Sequence, residues 1–449
     1  MRWPGAPRCL LPPDRVVRGA GSTLMPAQGA PPPLFRQRNF SALWWGQLIS
    51  LLGERLTYLA LVGLLAEHTH HFKDARAPLL LSLLANVMLA PVLLLAPFAG
   101  AWIDRWNLKH VVVLSDLLRS GLVLLIPVLY VTTHHTFPVY ALVFLLFTCN
   151  VFFLPAKSAI TPELVPRSQL LAANAWLSGA GITATAVGAL GGGWLIDHYG
   201  WTTALTFNAA TYLVSVVALL LIRYRTRPRV VVDAGVSVGG YLHRVREGWD
   251  VVRTNPTVGL ALTALGAVWI GGGFLHVAGN LHIQRAASAP GMERLGILMA
   301  ALGLGSGVGT WWLNTGGKHM PRPWMLGGGL VLAGAGLVAF ALSTRFAVFA
   351  GASFFIGLAA APAFMLTETL LQEGTAPGQR GRVFSARDFL MRLVFLVGVS
   401  VAGWMTRAAG VTPTLLLCAG VVAGTGALSF VWGQRVPSLM HTGAARDPQ

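Results

Sequence analysis

The amino-acid sequence predicts an all-α membrane protein with twelve transmembrane helices arranged as two six-helix bundles. Only 11% of the 449 residues are charged and the mean hydropathy is +0.63, whereas soluble domains are about one-quarter charged. Apolar stretches of roughly twenty residues recur along the chain, and a helix needs that length to cross a hydrocarbon core of about 30 Å. The two halves of the chain also share sequence features, as proteins built from internal repeats do.

Twelve apolar stretches are long enough to span a membrane. The predicted spans are residues 43–66, 79–103, 110–132, 138–156, 174–196, 201–222, 257–280, 292–313, 324–343, 346–370, 387–406 and 413–432. The longest internal break follows the sixth span and divides the spans six and six. We therefore predict an N-terminal bundle over residues 39–223 and a C-terminal bundle over residues 257–436.

The segments outside the bundles are basic or rich in proline and glycine. Residues 1–38 form a predicted disordered cytoplasmic tail, in which Met25 is an alternative start to Met1. Residues 224–256 form a predicted cytoplasmic linker whose apolar residues recur at helical spacing. This pattern fits an amphipathic helix on the membrane surface or an ordinary linker helix. Residues 437–449 form a second cytoplasmic tail.

The distribution of basic residues predicts the orientation of the chain. An even number of spans places both termini on one side, and 26 of the 33 lysines and arginines fall on that side, against six on the other. Under the positive-inside rule this side is the cytoplasm. The net charge of +17 is therefore attributed to basic segments facing anionic lipid and not to nucleic acid. We expect a multi-pass protein of the cytoplasmic (inner) membrane of a bacterium, with membrane lipids as partners.

Two adjacent charges lie near the middle of the first span. Glu54 and Arg55 each cost roughly 2.5–3.5 kcal/mol at the centre of a membrane helix, so such residues usually face a cavity or a partner. Neighbours on a helix point about 100° apart, so the two should have different partners. Burial disfavours the ionised form of a carboxyl group, which would suit Glu54 to proton exchange. A structural ion pair is the alternative.

Further polar residues in the spans are candidates for coupling or for substrate binding. The proton-coupling candidates besides Glu54 are Asp116, Glu368 and Asp388. Local salt bridges, Asp116 with Arg119 and Asp388 with Arg392, are the alternative for two of them. The candidates for a largely apolar substrate cavity are Asn150, Asn208, His276 and Asn280, although each alone could equally serve as an interhelical hydrogen bond.

The sequence gives no support to enzymatic classes. "TGGKHM" lacks the first glycine of a phosphate-binding loop and has His319 after its lysine, and "GLGSGVG" lacks the Gly-x-Ser-x-Gly pattern of a hydrolase. The histidines of "EHTHHF" fit a solvated loop better than a metal or pH-sensing site. We therefore expect neither an enzyme nor a metal site, and no cofactor.

The stretch "GAWIDRWNLKH" (residues 100–110) recurs in weakened form in the second half. Gly100, Lys109 and His110 return 209 residues later as Gly309, Lys318 and His319. Both copies lie between the second and third spans of their half. A duplicated six-span unit predicts a substrate site near the membrane midplane, between the two halves.

This stretch resembles the signature of the major facilitator superfamily, Gly-x-x-x-Asp-Arg followed by a basic residue before the third helix. The resemblance covers residues 39–436 and departs from the family at Asn107, where a glycine is usual. It implies a conformational latch in which the signature aspartate meets the start of helix eleven across the interface between halves. The implied latch residues are Gly100, Asp104, Arg105, Lys109, Arg387 and Arg392. A carboxylate at a helix N-terminus is favoured by about 0.3–1 kcal/mol.

The segments "TPELVPRSQLLAANAWLSG", "VREGWDVVRTNP" and "GQRGRVFSARDF" resemble the branch with macrolide-efflux proteins and the enterobactin exporter. Ser50, Gly53 and Glu54 resemble a Ser-x-x-Gly-acid pattern of the same branch. The glycines of span five resemble the family's antiporter motif, but Gly193 stands at its proline position. Small residues also allow close helix packing.

The resemblance implies a monomeric secondary transporter that exports small amphipathic organic compounds, such as a drug, macrolide or siderophore, in exchange for protons. A transporter or scramblase of lysophospholipid or other lipid is an alternative within the same fold. A non-transporting membrane receptor is the alternative from another class, and the absence of coupled flux would reveal it.

Overall fold

The protein is almost entirely helical over the residues described by its computed structural model, which are 32–103, 105–224, 238–286, 291–317, 320–376 and 379–435. No strand occurs within these ranges, which confirms the predicted all-α class. Three residues named above, Asp104, Lys318 and His319, lie outside the described residues, as do both tails before residue 32 and after residue 435.

Five helices form the N-terminal bundle. They are α1 (Arg38–His68), α2 (Ala77–Ile103), α3 (Leu108–Thr133), α4 (Thr136–Leu164) and α5 (Leu170–Leu220). Helix α4 extends eight residues beyond its predicted end and passes through Pro155 and Pro162. Membrane helices tolerate internal prolines because neighbouring helices and local side chains satisfy the freed backbone groups.

The C-terminal bundle contains six spans, two of which include π-helical segments. The seventh span joins α7 (Pro256–Phe274), a π segment (Leu275–Gly279) and α8 (Asn280–Ala286), and the ninth joins a π segment (Trp324–Gly328) to α10 (Gly329–Leu342). The others are α9 (Met292–Thr315), α11 (Phe346–Glu373), α12 (Arg380–Ala409) and α13 (Val411–Gln434). Between the bundles, α6 (Val238–Thr254) packs against α12 and α7.

Eleven helices of the described chain are long and apolar enough to cross a membrane, and one of them, α5, contains two spans. Gly200 interrupts α5 with φ 84° and ψ 162°, a backbone conformation that is almost confined to glycine. Near this turn, Gly63 of α1 packs between Ile196 and Trp201, one from each arm. The arms 170–199 and 201–220 therefore run antiparallel, and the spans number twelve as predicted.

The same turn recurs in the second half. Gly410 joins α12 to α13 with φ 91° and ψ 173°. Gly200 and Gly410 are 210 residues apart, close to the shift of 209 between the two copies of the sequence repeat. The repeat therefore extends to the backbone of the hairpin that closes each bundle.

The helix ends define two faces of the molecule. One face, here called the terminal face, holds both ends of the described chain. Asn39, at the start of α1, exchanges hydrogen bonds with the backbone of Arg223. Gly259, at the start of α7, packs near Trp432 at the end of α13. The other face, called the opposite face, holds the turns at Gly200 and Gly410.

The bundles meet closely near the opposite face and separate toward the terminal face, as the seam between α5 and α9 shows. A methyl carbon on Gly296 would lie 2.1 Å from the Ala189 carbonyl oxygen, and one on Gly193 would lie 2.4 Å from the Met292 carbonyl oxygen. Farther along, a methyl on Gly181 or Gly303 would have no described atom within 4 Å. The seam is thus open toward the terminal face.

Candidate functional site

A buried ion pair lies at the centre of the N-terminal bundle. Asp116 and Arg119, one helical turn apart on α3, form a salt bridge and are 0% and 2% exposed. Ser215 of α5 donates a hydrogen bond of 2.6 Å to the second carboxylate oxygen of Asp116. The carboxylate of Asp116 is therefore held by two partners from two helices.

Arg119 extends this pair toward the first helix. Its guanidinium carbon lies 4.1 Å from the ring centre of Phe153 and 4.7 Å from that of Tyr212, so two aromatic faces flank the charge. Arg119 also donates a hydrogen bond of 3.4 Å to Asn150 Oδ1, and Asn150 Nδ2 donates one of 2.9 Å to Glu54 Oε1. A continuous polar chain thus links Glu54 on α1 to Asp116 on α3.

Glu54 lies at the accessible end of this chain. It lines a cavity of about 10 Å³, which is room for about one water molecule, and the other walls include Thr57, Tyr58, Arg119, Asn150 and Tyr212. Asp116 is fully buried and ion-paired, whereas Glu54 is half-buried and receives one hydrogen bond, from Asn150. The geometry therefore separates two of the predicted coupling acids: Asp116 is buried in an ion pair, and Glu54 stands beside the cavity.

The other two predicted coupling acids lie together near the terminal face. Glu368 of α11 and Asp388 of α12 both pair with Arg387, and their side chains are 47% and 51% exposed. Arg387 also lies over the ring of Phe384, with 4.9 Å between the guanidinium carbon and the ring centre. Exposed acids of this kind serve first as ion-pair partners within their own bundle.

A polar junction joins the bundles at mid-depth. Tyr58 Oη of α1 lies 3.3 Å from His276 Nδ1, in the π segment of the seventh span. The other ring nitrogen of His276 and both amide atoms of Asn280 are buried and have no hydrogen-bond partner among the described residues. Pi-helical turns are frequent at functional sites, and these unpaired atoms could bind a polar group of a ligand. Two substrate-cavity candidates are thus brought together here.

Asn208, the remaining cavity candidate, serves the packing of α5 against α1. It is fully buried, donates to Thr57 Oγ1 and accepts from Thr211 Oγ1 at 3.0 Å. Asn150, by contrast, belongs to the Glu54 chain and lines the small cavity. Sequence reasoning did not single out Tyr58 or Ser215, because a hydroxyl in an apolar span carries no signal of its own.

Near the opposite face, a side chain of the N-terminal bundle accepts hydrogen bonds from the first residues of α9. Asp197, in the first arm of α5, accepts hydrogen bonds from the backbone N–H groups of Met292 (2.7 Å) and Glu293 (2.8 Å). A carboxylate at a helix N-terminus satisfies otherwise unpaired donors and complements the helix dipole. Nearby, Arg285 donates two hydrogen bonds to the Phe72 carbonyl oxygen, at 3.0 and 3.1 Å. These contacts hold the two bundles together at this face.

Two of the predicted latch residues near the terminal face, Lys109 and Arg387, are engaged within their own bundles. Lys109 Nζ donates to the carbonyl oxygens of Leu220 (2.9 Å) and Ile222 (2.7 Å), at the end of α5. Arg387 pairs with Glu368 and Asp388. Of the other predicted latch residues, Arg392 is half-buried on α12, Arg105 is exposed, and Gly100 lies on α2. Asn107 caps α3 by accepting from the backbone N–H of Lys109 at 3.0 Å, which explains how asparagine can stand at the usual glycine.

The C-terminal bundle contains a largely apolar chamber of about 250 Å³. Its walls include Trp269, Leu302, Ser306, Phe364 and Phe395, and Trp269 meets Phe395 edge-to-face with ring centres 5.8 Å apart. We call it the C-bundle chamber. A concave apolar space with aromatic walls and few polar groups is typical of a small-molecule site.

Two six-span bundles related by a repeat, with polar side chains at membrane depth between and within them, are typical of membrane transporters. The chain belongs to the major facilitator superfamily, whose family model matches residues 43–318.

Curated relatives cover most of this chain at low identity. Macrolide efflux protein A of Streptococcus pyogenes is 23% identical over 407 residues, which is 86% of this chain and 95% of the relative. The MFS-type transporter YfiS of Bacillus subtilis is 26% identical and covers 89% of this chain and 94% of its own length. A putative bacilysin exporter of Bacillus subtilis, BacE, is 23% identical over 80% of this chain and 86% of the relative.

Solved structures agree on the fold. A bacterial homologue of the human lysosomal transporter Spinster, in an inward-facing and occupied conformation, superposes with a TM-score of 0.68 at 15% identity. It covers 92% of this chain and 100% of its own. A peptide transporter superposes with a TM-score of 0.69 at 10% identity, covering 90% and 99%.

Proposed function

We propose that this protein is a proton-coupled exporter of small amphipathic organic compounds in the cytoplasmic membrane of a bacterium. The observation that carries the proposal is the position of Glu54, a half-buried acid at membrane depth. It is joined through Asn150 and Arg119 to a fixed ion pair and lines a cavity.

We assign the terminal face to the cytoplasm, because the sequence concentrates its basic residues there. Under this assignment the open end of the α5–α9 seam faces the cytoplasm, and the structure is inward-facing. Export then requires an outward-facing state, in which the contacts made by Asp197 and Arg285 break and contacts near the terminal face form. The family latch, with Asp104 at the start of α12, would supply the latter.

The Glu54 chain supports coupling to protons. Protonation of Glu54 removes a negative charge beside Asn150, whose amide also accepts from Arg119. Asp116 is then the one carboxylate left in this polar chain, paired with the guanidinium through the salt bridge on α3. Because α1 contacts the C-terminal bundle through Tyr58 and His276, a change at Glu54 lies one helical turn from the interface that must open.

The C-bundle chamber supports an amphipathic substrate. Its aromatic and aliphatic walls would take an apolar body, while the unpaired atoms of His276 and Asn280 offer hydrogen bonds nearby. Two relatives are named as an efflux protein and a putative exporter, which favours export. Lipid transport by the same fold is the competing proposal.

Two assays test the function in sequence. A panel of macrolides, siderophores and lysophospholipids would first identify the compound whose toxicity or accumulation changes most when the gene is expressed in an efflux-deficient host. Transport of that compound would then be measured in proteoliposomes, with and without a pH gradient. We expect gradient-driven accumulation in the wild type, none in Glu54→Gln, and retained exchange at equal pH in both.

Glu373→Gln is the matched control, because Glu373 pairs with Arg322 near the terminal face and is not part of the polar chain that contains Glu54. It should retain gradient-driven accumulation. Accumulation in Glu54→Gln equal to the wild type would remove Glu54 from coupling. Lysophospholipid as the transported compound would favour the lipid alternative, and no flux of any compound would favour a receptor.

A further inference from the structure

Arg55 is a charge at membrane depth that the proposed coupling does not use. It lies 17 residues from the start of α1 and 13 from its end, or about 25 Å and 20 Å along the helix axis. An arginine near the midplane is costly and usually faces a partner or a cavity. Its neighbour Glu54 is turned toward Asn150 on α4, so the two adjacent charges have different surroundings.

Arg55 is exposed on the side of α1 that faces the α5–α9 seam. Gly188 of α5 leaves room for its stem, since a methyl carbon on Gly188 would lie 2.9 Å from Arg55 Cβ. Within the part of the chain that the structure describes, no hydrogen bond or ion pair engages its guanidinium group. Asp197, an acid in the same seam, caps α9 near the opposite face.

Arg55 lines a cleft of about 660 Å³ between the two bundles. We call it the α5–α9 cleft. Its walls include Ile182 and Thr185 of α5 and Leu304 and Trp311 of α9. Thr185 already donates to its own helix, at 2.8 Å from the Gly181 carbonyl oxygen. The walls therefore offer mainly apolar contact, with the arginine as the one charged group among the lining residues that the structure describes.

The cleft is also open to the side. Ile182 and Trp311 are 73% and 65% exposed, although both lie within membrane spans. Bare apolar side chains at this depth face acyl chains. A molecule lying in the leaflet next to the terminal face could enter between Gly181 and Gly303, where the helices are far enough apart to leave both glycines uncovered.

We propose that the α5–α9 cleft binds an amphiphile that carries a carboxylate or another oxyanion and enters from the membrane. The oxyanion would pair with the guanidinium of Arg55, whose donors match a carboxylate in a bidentate arrangement. The apolar chain would lie against Ile182, Leu304 and Trp311. The inference deepens the proposed export function and rests on it for direction, because it names the substrate class taken from the membrane.

Charge sets the specificity of this cleft. A cationic amphiphile of the same shape would meet repulsion from Arg55, and a neutral one would leave the guanidinium without a partner at membrane depth. An anionic amphiphile should therefore bind about tenfold more tightly than its neutral analogue, since hydrogen bonds to charged groups are among the stronger ones in proteins.

Photolabelling of the purified full chain in zwitterionic lipid nanodiscs tests the proposal. The probes are three analogues of one C16 chain with a mid-chain diazirine, ending in a carboxylate, an alcohol or a trimethylammonium group. Labelled peptides are located by mass spectrometry. We expect the carboxylate to label residues 178–186 and 299–311 at about one-tenth of the concentration that the other two require.

Three variants accompany the probes. Arg55→Gln should raise the carboxylate concentration needed about tenfold, Arg55→Lys should restore most of the labelling, and Arg76→Gln, in the exposed loop after α1, should have no effect. Gly303→Leu keeps the arginine but fills the cleft, and it should abolish labelling there. This variant decides the question if Arg55→Gln does not fold.

Equal labelling by all three head groups, or wild-type labelling in Gly303→Leu, would overturn the proposal. Binding is measured here without transport. Loss of gradient-driven flux with intact labelling would therefore count against the export function and not against binding in the cleft. Retained flux with no charge-selective labelling would count against binding in the cleft alone.

Discussion

Two acids in one polar chain, Asp116 and Glu54, differ in their hydrogen-bond and ion-pair partners. Asp116 is fully buried, paired with Arg119 and bonded to Ser215, whereas Glu54 accepts from the neutral amide of Asn150 and lines a cavity. Removing the partner of a buried charge is costly, so Asp116 is bound into the packing of the N-terminal bundle. We propose that Glu54, which has a neutral partner and a cavity beside it, is the acid that exchanges protons.

The buried pair gives the first prediction. Asp116→Asn keeps the side-chain shape but leaves the 2%-exposed guanidinium of Arg119 without its counter-charge, and removing one partner of a buried pair costs about 3–5 kcal/mol. We expect a large drop in the midpoint of thermal unfolding in detergent. Asp388→Asn, at a 51%-exposed acid, is the control and should leave the midpoint nearly unchanged. Equal midpoints for both variants would contradict the structural role of Asp116.

The sequence shows which charged residues belong to the polar chain but not which of its side chains are in contact. Asp116 and Arg119 lie three positions apart, so their contact follows from helix geometry alone. The contact from Asn150 to Glu54 joins residues 96 positions apart, and it depends on which faces of α1 and α4 meet. Arg55 likewise appears in the sequence only as a costly charge, and the cleft beside it emerges from the separation of two helices.

At the scale of elements, two glycine turns close the bundles. The backbone of Gly200, with φ 84° and ψ 162°, lies in a region that costs a non-glycine residue roughly 1–3 kcal/mol. Gly200→Ala should therefore lower the stability of the folded protein by that amount, measured as a lower thermal midpoint and lower abundance in the membrane.

Gly191→Ala is the matched control for the turn. Gly191 lies in the same helix α5, nine residues earlier, and a methyl there would meet no described atom within 4 Å. Alanine in a helix interior is favoured over glycine by about 0.5–1 kcal/mol, so this variant should be neutral or slightly stabilised. A neutral Gly200→Ala would show that the hairpin does not need its glycine.

The cap on α9 yields a prediction about conformation. Asp197→Ala removes two hydrogen bonds that cross between the bundles, and loss of a helix cap costs about 0.5–2 kcal/mol. Because the contact is specific to the closed opposite face, its loss should favour opening there by roughly two- to thirtyfold. A membrane-impermeant maleimide in intact cells, with a cysteine introduced beside the seam, would react faster.

Asp74→Ala controls for loss of an acid near the same face. Its carboxylate accepts from the backbone of Arg76, two residues away in the same loop, so maleimide reactivity should stay at the wild-type rate. Unchanged reactivity in Asp197→Ala would mean that the cap is not part of the closed state.

Element boundaries follow closely from the sequence where apolar runs are long. The predicted span 292–313 is observed as α9, Met292–Thr315, because lipid requires a helix to satisfy its own backbone. The π segment Leu275–Gly279 and the cap by Asp197 carry no comparable pattern. The first depends on local strain in one turn, and the second depends on a neighbour in the other bundle.

At the scale of the whole molecule, we propose that each face has its own latch. Asp197 caps α9 near the opposite face, and the family resemblance places Asp104 at the start of α12 near the terminal face. Each is an aspartate of the N-terminal bundle that would cap a helix of the C-terminal bundle. We propose that the two latches alternate.

Reciprocal behaviour of the two aspartates follows from this proposal. Asp104→Asn should weaken the closed state of the terminal face and leave folding near normal, while transport falls severely. Cysteines near the terminal face should become more reactive in this variant, the reverse of the effect of Asp197→Ala. Wild-type transport by Asp104→Asn would contradict the latch.

The whole fold is predictable from hydropathy, charge bias and the repeat, since these reflect the bilayer and not particular contacts. The sequence does not predict which face of the molecule is open, because the apolar seams near the two faces look similar in sequence. Only the packing of Gly296 on Ala189, against the uncovered Gly303 on the same helix, shows which end of the seam is closed.

We propose that protonation of Glu54 moves the equilibrium between the two open states. Distances between pairs of spin labels, measured by double electron–electron resonance in nanodiscs, test this proposal. One cysteine-free form would be labelled at Ser168 and Ala376 near the terminal face, and another at His135 and Thr344 near the opposite face, all of which are exposed. Distances would be recorded at one acidic and one mildly alkaline pH.

We expect both distance distributions of the wild type to shift between the two pH values, in opposite senses at the two faces. In Glu54→Gln, which resembles the protonated acid, both should match the low-pH wild type at either pH. A Glu54→Gln protein whose distances respond to pH as the wild type does would contradict the account.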